Sequence, residues 1–173
     1  EFRGPRPRLR PFPGSRPSDE MAQAAREGRL ELGARNDEVE FRLVVRNRGT
    51  EFVDVQWFQP CMRVGGFTGL KQSNYIERSF IFTAHGLKTL DQTWRTEEAI
   101  YRGGQVYVPA GINTNDVNPR PLSPETPVNN LIGCFSADGR WLLATAWDHT
   151  QELFQGVIVC LHADPRIGGL VTI

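Results

Sequence analysis

Leu131-Ile132-Gly133-Cys134-Phe135-Ser136-Ala137-Asp138-Gly139-Arg140-Trp141-Leu142-Leu143-Ala144-Thr145-Ala146-Trp147 is the stretch that decides the fold class. Two apolar runs, 131–136 and 141–147, flank Ala137-Asp138-Gly139-Arg140. Asp-Gly tolerates the left-handed backbone of a tight turn, so this is a strong hairpin signal. The chain is read outward from this hairpin.

Upstream, Val39, Phe41, Leu43 and Val45 alternate with Glu40, Arg42, Val44 and Arg46. Period two marks a half-buried strand. Asn47-Arg48-Gly49-Thr50 reads as a turn, and 52–59 as the strand that pairs back. The aromatic, β-branched run 75–82 reads as another strand, and 105–108 as a short one ended by Pro109. Downstream, 155–162 is apolar and β-branched and is closed by Asp164-Pro165. Seven strands with few helices predict an all-β chain, an antiparallel β-sandwich with a short N-terminal helix and long loops. A helix is expected over 91–101. The Pro/Asn-rich stretch 109–130 is a binding loop, a lid or a disordered segment.

The 173 residues carry 20 basic and 20 acidic side chains. The balance is uneven. Residues 1–17 hold five arginines against Glu1, a net of +4, which leaves −4 for the rest. They also hold five of the twelve prolines, so neither helix nor central strand fits, and they read as a disordered Pro/Arg-rich tail. Ser18-Asp19-Glu20 can cap a short helix that stops near Gly28. The expected organisation is therefore a tail at 1–17, a short helix and linker at 18–37, and a β-sandwich domain at 38–173. The final Gly168-Gly169-Leu170-Val171-Thr172-Ile173 reads as the start of a further element, so the domain is expected to be cut short. Zero net charge gives no support for nucleic-acid binding. No apolar run reaches the ~20 residues of a membrane helix, and no signal peptide is visible. The expectation is a soluble protein without nucleic-acid or membrane partners. Three cysteines cannot all pair, and buried free thiols are expected, Cys134 as plain core.

Three constellations could carry chemistry. In Cys160-Leu161-His162-Ala163-Asp164, positions 160, 162 and 164 share one face of an extended strand. Cys160 and His162 could hold a divalent metal, and His162 with Asp164 could act as base and partner. A buried thiol followed by a hydrogen-bonded turn is the plainer alternative. In Trp147-Asp148-His149-Thr150-Gln151-Glu152, Asp148 or Glu152 could pair with His149 or His162 in acid–base work; the alternative is a polar turn. In 59–70, Pro60 and the glycines mark a corner, and Gln59, Arg63 and Phe67 could line a ligand. No nucleotide-loop, zinc-protease, EF-hand or kinase signature is present. The aromatic side chains Trp57, Tyr75, Trp94, Tyr101, Tyr107, Trp141 and Trp147 suit sugar stacking and suit a sandwich core equally well.

The run 140–147 with Gly156 and Cys160-Leu161-His162-Ala163-Asp164-Pro165 resembles a group of uncharacterised bacterial β-sandwich proteins. In that group an "AW" strand end precedes a "CLHSDP"-like strand. Residues 47–67, with Val55-Gln56 ahead of Gln59-Pro60-Cys61-Met62, are similar to their upstream strand pair. The likeness spans about residues 38–170. The layout is more loosely similar to the sugar-binding supersandwich of mutarotase-like proteins. That resemblance implies a supersandwich-like fold. The aromatic-rich strands and long polar loops point to a carbohydrate-associated module that binds and does not catalyse, with Gln59, Arg63, Trp94 and Trp147 as ligand contacts. One alternative is a sugar-active enzyme using His162, Asp164 and His149, with or without a metal on Cys160 and His162. The other is a structural or protein-interaction domain. The expected partner is a glycan or small molecule. No cofactor is expected, with a divalent metal as the alternative.

Overall fold

The computed structural model describes residues 28–34, 38–45, 59–70, 72–102, 104–156 and 159–165. The Pro/Arg tail, the helix expected from Ser18, most of the strand expected at 52–59 and the C-terminal glycines lie outside the described residues. The chain divides into two compact units, Glu1–Asp54 and Val55–Ile173.

The first unit contains a hairpin of β1 (Gly28–Ala34) and β2 (Val39–Val45), paired antiparallel from Gly28 opposite Val45 to Ala34 opposite Val39. The strand at 39–45 is present, but its partner precedes it in the chain. Leu30 and Leu32 alternate with Arg29 and Glu31, yet Gly28 and Gly33 dilute that pattern, because glycine has no side chain to pack on a pleated surface.

The second unit is an antiparallel sandwich of two four-stranded sheets among the described residues. One sheet has the order β3 (Met62–Arg63), β10 (Cys160–Pro165), β9 (Thr150–Gly156), β6 (Gln105–Tyr107). The other has β5 (Gly86–Thr89), β4 (Ser79–Thr83), β7 (Leu131–Phe135), β8 (Leu142–Ala146). The Asp138-Gly139 turn joins β7 to β8 as the sequence predicts, with Gly139 at φ +69°. Ile81, Ile132 and Cys134 from one sheet meet Tyr107, Leu153, Leu161 and Ala163 from the other in a fully buried core. Cys134 is plain core, as expected. On the outer face of the second sheet, Phe80 packs against Phe82 and Phe135, with its ring over Gly133.

Three elements differ from the sequence reading. The run 75–82 is a short helix followed by a strand: after α1 (Gly65–Thr68), α2 (Gln72–Arg78) leads into β4. Tyr75 and Ser79, one turn apart, both face inward, and the Ser79 hydroxyl donates to the Tyr75 carbonyl at 2.5 Å. The run 155–162 is not one strand; the chain reverses within it, between β9 and β10. The helix expected over 91–101 is limited to α3 (Glu97–Arg102).

Residues 109–130 are an edge cover. Val106 N–H donates to the Pro121 carbonyl at 3.0 Å, and Ser123 N–H donates to the Val106 carbonyl at 2.8 Å. The segment thereby occupies the open side of β6, which would otherwise present unpaired backbone groups. A Lys88–Glu125 ion pair at 2.7 Å and a Val128 N–H bond to the Phe82 carbonyl fasten it to the other sheet. No helix among the described residues is long and apolar enough to cross a membrane.

Candidate functional site

The site is built by strand register. In β10, Leu161 and Ala163 point into the core between the sheets, so Cys160, His162 and Asp164 point to the opposite face. On β9 their partners are Gly156, Phe154 and Glu152. On the other side, Cys160 pairs with Arg63 and Leu161 with Met62. Continuing that register sets Cys61 opposite His162 and Gln59 opposite Asp164. Three strands thus bring three rows to one face: Gly156–Cys160–Arg63, Phe154–His162–Cys61 and Glu152–Asp164–Gln59.

The side chains meet as the register requires. Cys160 Sγ lies 2.9 Å from His162 Nε2. The donor atoms of Cys61, Cys160 and His162 all fall within 4.8 Å of one another. Behind the imidazole, Nδ1 is 3.9 Å from Asp164 Oδ1 and makes no hydrogen bond. Gln59 Nε2 donates to Asp164 Oδ2 at 3.2 Å. Asn118 N–H, from the edge cover, donates to Glu152 Oε2 at 2.6 Å. The Phe154 ring packs 5.2 Å from the imidazole. Cys160, His162, Asp164 and Glu152 are all buried, and Cys61 is exposed.

Two features make room for this cluster. A Cβ on Gly156 would lie 2.5 Å from Cys160 Sγ and 3.2 Å from His162 Nε2, so only glycine fits beside the pair. Val159, just ahead of Cys160, has φ +55°, a left-handed conformation that β-branched residues avoid. Its carbonyl accepts from Val64 N–H at 3.1 Å, which ties the strained turn to the segment that carries Cys61. Strain of this kind concentrates at functional sites.

Burial sets the electrostatics. It pulls the His162 pKa down to about 4, so the imidazole is uncharged at neutral pH and its lone pair is available to a ligand. It pushes the Glu152 carboxyl up, against the opposing pull of Asn118 and Asp164. One acid biased toward the protonated form beside a second buried acid is an arrangement that can hold or pass a proton.

No family model, curated protein or solved structure matches this chain. What the site can do therefore rests on its own chemistry.

Of the other sequence candidates, Arg63 borders the donor group and the rest are no part of it. His149 is exposed in the turn before β9 and is no part of the Cys61–Cys160–His162 group. Arg63 is exposed beside Cys160. Trp147 and Phe67 are half-buried and pack on the core. Trp94 is 58% exposed. Gly156 and Phe154 are neighbours of the donor group that the sequence alone does not single out as parts of a site. Gly156 carries a readable signal, as a glycine inside a strand pattern beside a strand with chemistry.

Proposed function

We propose that the outer face of β10 is a divalent-metal centre with Cys61, Cys160 and His162 as ligands, serving an enzyme that acts on a small polar substrate such as a sugar or polyol. The single observation that carries this reading is the convergence of the three donor atoms within 4.8 Å. Zinc–sulfur and zinc–nitrogen bond lengths imply tetrahedral edges of roughly 3.5–3.8 Å, so the cluster needs only small side-chain adjustments to close on an ion. Two thiols and an imidazole favour a borderline-soft metal such as zinc over calcium or magnesium.

The surroundings support the same reading. Asp164 stands behind the imidazole, where a carboxylate fixes the ring orientation of a metal-bound histidine, and Gln59 holds Asp164 in turn. Three protein ligands leave a fourth position for water or substrate, as in catalytic zinc sites. When bound there, the metal would polarise that oxygen.

Metal analysis of protein purified without chelator tests the reading. One zinc-class ion per chain is expected. Cobalt substitution should give thiolate-to-cobalt charge-transfer bands that are lost in Cys160→Ser. Absence of both stoichiometric metal and charge transfer overturns it.

The glycan-binding reading has its own support in the exposed Trp94 ring, an available stacking face. A glycan array probed with the wild type and Trp94→Ala tests it; no binding across the array, or equal binding by both proteins, counts against it.

A further inference from the structure

Two of the three proposed metal ligands are thiols, and they differ in exposure. Cys61 is exposed, Cys160 is buried, and neither is in a disulfide. Their sulfurs lie within 4.8 Å of each other. Cys134, the third cysteine, is held in the core between the sheets. An accessible thiol beside a second one is the arrangement in which a first oxidation is met by a resolving thiol.

The backbone decides whether the two sulfurs can join. A disulfide is about 2.0 Å long and spans Cα atoms up to about 6.8 Å apart. Cys160 pairs with Arg63, two residues after Cys61, so the two cysteines are diagonal neighbours. In an unbroken ladder diagonal neighbours keep roughly 7–8 Å between Cα atoms, just beyond that reach. Here the ladder stops short of Cys61, because β3 begins at Met62. Cys160, in contrast, is held between β3 and β9. Closure therefore needs only the residues just ahead of β3 to swing inward, while the paired strands stay in place.

We propose that Cys61 and Cys160 are a peroxide-responsive dithiol that closes to an intramolecular disulfide. The Cys61 sulfur attacks hydrogen peroxide, the O–O bond breaks, and one water leaves as Cys61 becomes a sulfenic acid. The Cys160 sulfur then attacks the Cys61 sulfur, so that the S–S bond forms and the S–O bond breaks. The Cys160 proton passes to His162 Nε2, 2.9 Å away, and on to the departing oxygen, which leaves as a second water. One peroxide is reduced to two waters while two thiols are oxidised. The closed pair offers no thiolate, the form in which cysteine ligates a metal. Oxidation thus switches the metal centre off. That consequence rests on the metal-centre reading, whereas the disulfide itself does not.

The full chain, with zinc and after chelation, is treated with one equivalent of hydrogen peroxide, then alkylated under denaturing conditions and mapped by peptide mass. Without zinc, alkylated thiols should fall from three to one, with Cys134 labelled and Cys61 joined to Cys160 within one chain. A phosphine reductant should restore all three. Cys160→Ser should stop at a sulfenic acid on Cys61, trapped by dimedone. The oxidised protein should take up no zinc until it is reduced. Three thiols left after peroxide, a link between two chains, or Cys61 carried to sulfinic acid without a bond to Cys160 overturns the proposal. Mapping of the wild type decides this even if Cys160→Ser does not fold. A chain that closes the disulfide but binds no zinc in either state keeps the redox pair and overturns the metal reading; one that binds zinc and never closes does the reverse.

Discussion

Gly156 is the register partner of Cys160, and a methyl group on Gly156 would approach the Cys160 sulfur to 2.5 Å. Both residues belong to paired strands, so neither backbone can retreat without breaking the ladder. Gly156→Ala is expected to destabilise the fold by about 1–3 kcal/mol through overpacking, and to abolish zinc uptake. At Gly66 the same methyl meets nothing within 4 Å. Gly66→Ala should be neutral, or stabilising by up to about 1 kcal/mol. Urea unfolding with zinc titration reads both; wild-type zinc affinity in Gly156→Ala would contradict the crowding argument.

Acid should weaken the metal-free protein through His162. Its pKa falls from the ordinary 6.5 to about 4 on burial. Above pH 6.5 neither the folded nor the unfolded imidazole is charged, and the full stability is present. Between pH 6.5 and 4 the unfolded chain takes up the proton first, so stability falls by up to about 3 kcal/mol as pH drops through that window. Glu152, raised by burial, works in the opposite direction. The diagnostic quantity is therefore the difference between wild type and His162→Gln. Urea midpoints at pH 7, 6 and 5 should converge for the two proteins if the imidazole carries the effect; parallel pH profiles would exclude it.

The three thiols should react at different rates. Cys61 is exposed, whereas Cys134 and Cys160 are buried. Burial pushes the Cys134 thiol up to about 12, so it offers almost no thiolate at neutral pH. Titration with an aromatic disulfide should show one fast thiol, lost in Cys61→Ser, and Cys134 only after denaturation. Zinc should slow the fast phase. A fast phase that survives Cys61→Ser would be inconsistent with this order.

The two sequence-nominated tryptophans should separate by stability. Trp94→Ala, at an exposed ring, should change unfolding free energy by no more than about 0.5 kcal/mol. Trp147 packs against the core, and Trp147→Ala should cost about 2–4 kcal/mol. Denaturant unfolding of both variants decides whether Trp147 is a packing residue; a neutral Trp147→Ala would return it to the candidate ligand surface.

Gly133→Ala should destabilise without touching the proposed metal centre. The added carbon would lie 2.7 Å from Phe80 Cζ and 3.0 Å from the Leu143 carbonyl. A loss of about 1–3 kcal/mol is expected, with zinc stoichiometry unchanged by metal analysis. Lost zinc binding in a folded Gly133→Ala protein would mean that the two sheets are coupled more tightly than their packing implies.

The face shared by Cys160, His162 and Asp164 was legible because side chains on one strand alternate, whatever the strand pairs with. Cys61 was not legible as their neighbour. Its place opposite His162 depends on β3 pairing with β10 across about a hundred residues, and no local pattern encodes that. The hairpin at Asp138-Gly139 was readable because its turn uses turn residues. The reversal between β9 and β10 was not, because Val157-Ile158-Val159 are β-branched and Val159 adopts a left-handed backbone against its preference. Tyr75-Ile76 favoured a strand by residue type, yet the inward-facing Tyr75 and Ser79 put that segment in a helical turn.

The alternation along β10 has one more consequence. Shifting that strand by a single residue would send Leu161 and Ala163 outward and drive Cys160, His162 and Asp164 into the apolar core. A chain that folded with that slip could present neither donor set nor carboxylate partner. If the proposed metal centre forms, uptake of its ion would act as a proofreading step, drawing the population toward the strand alignment that presents all three donors.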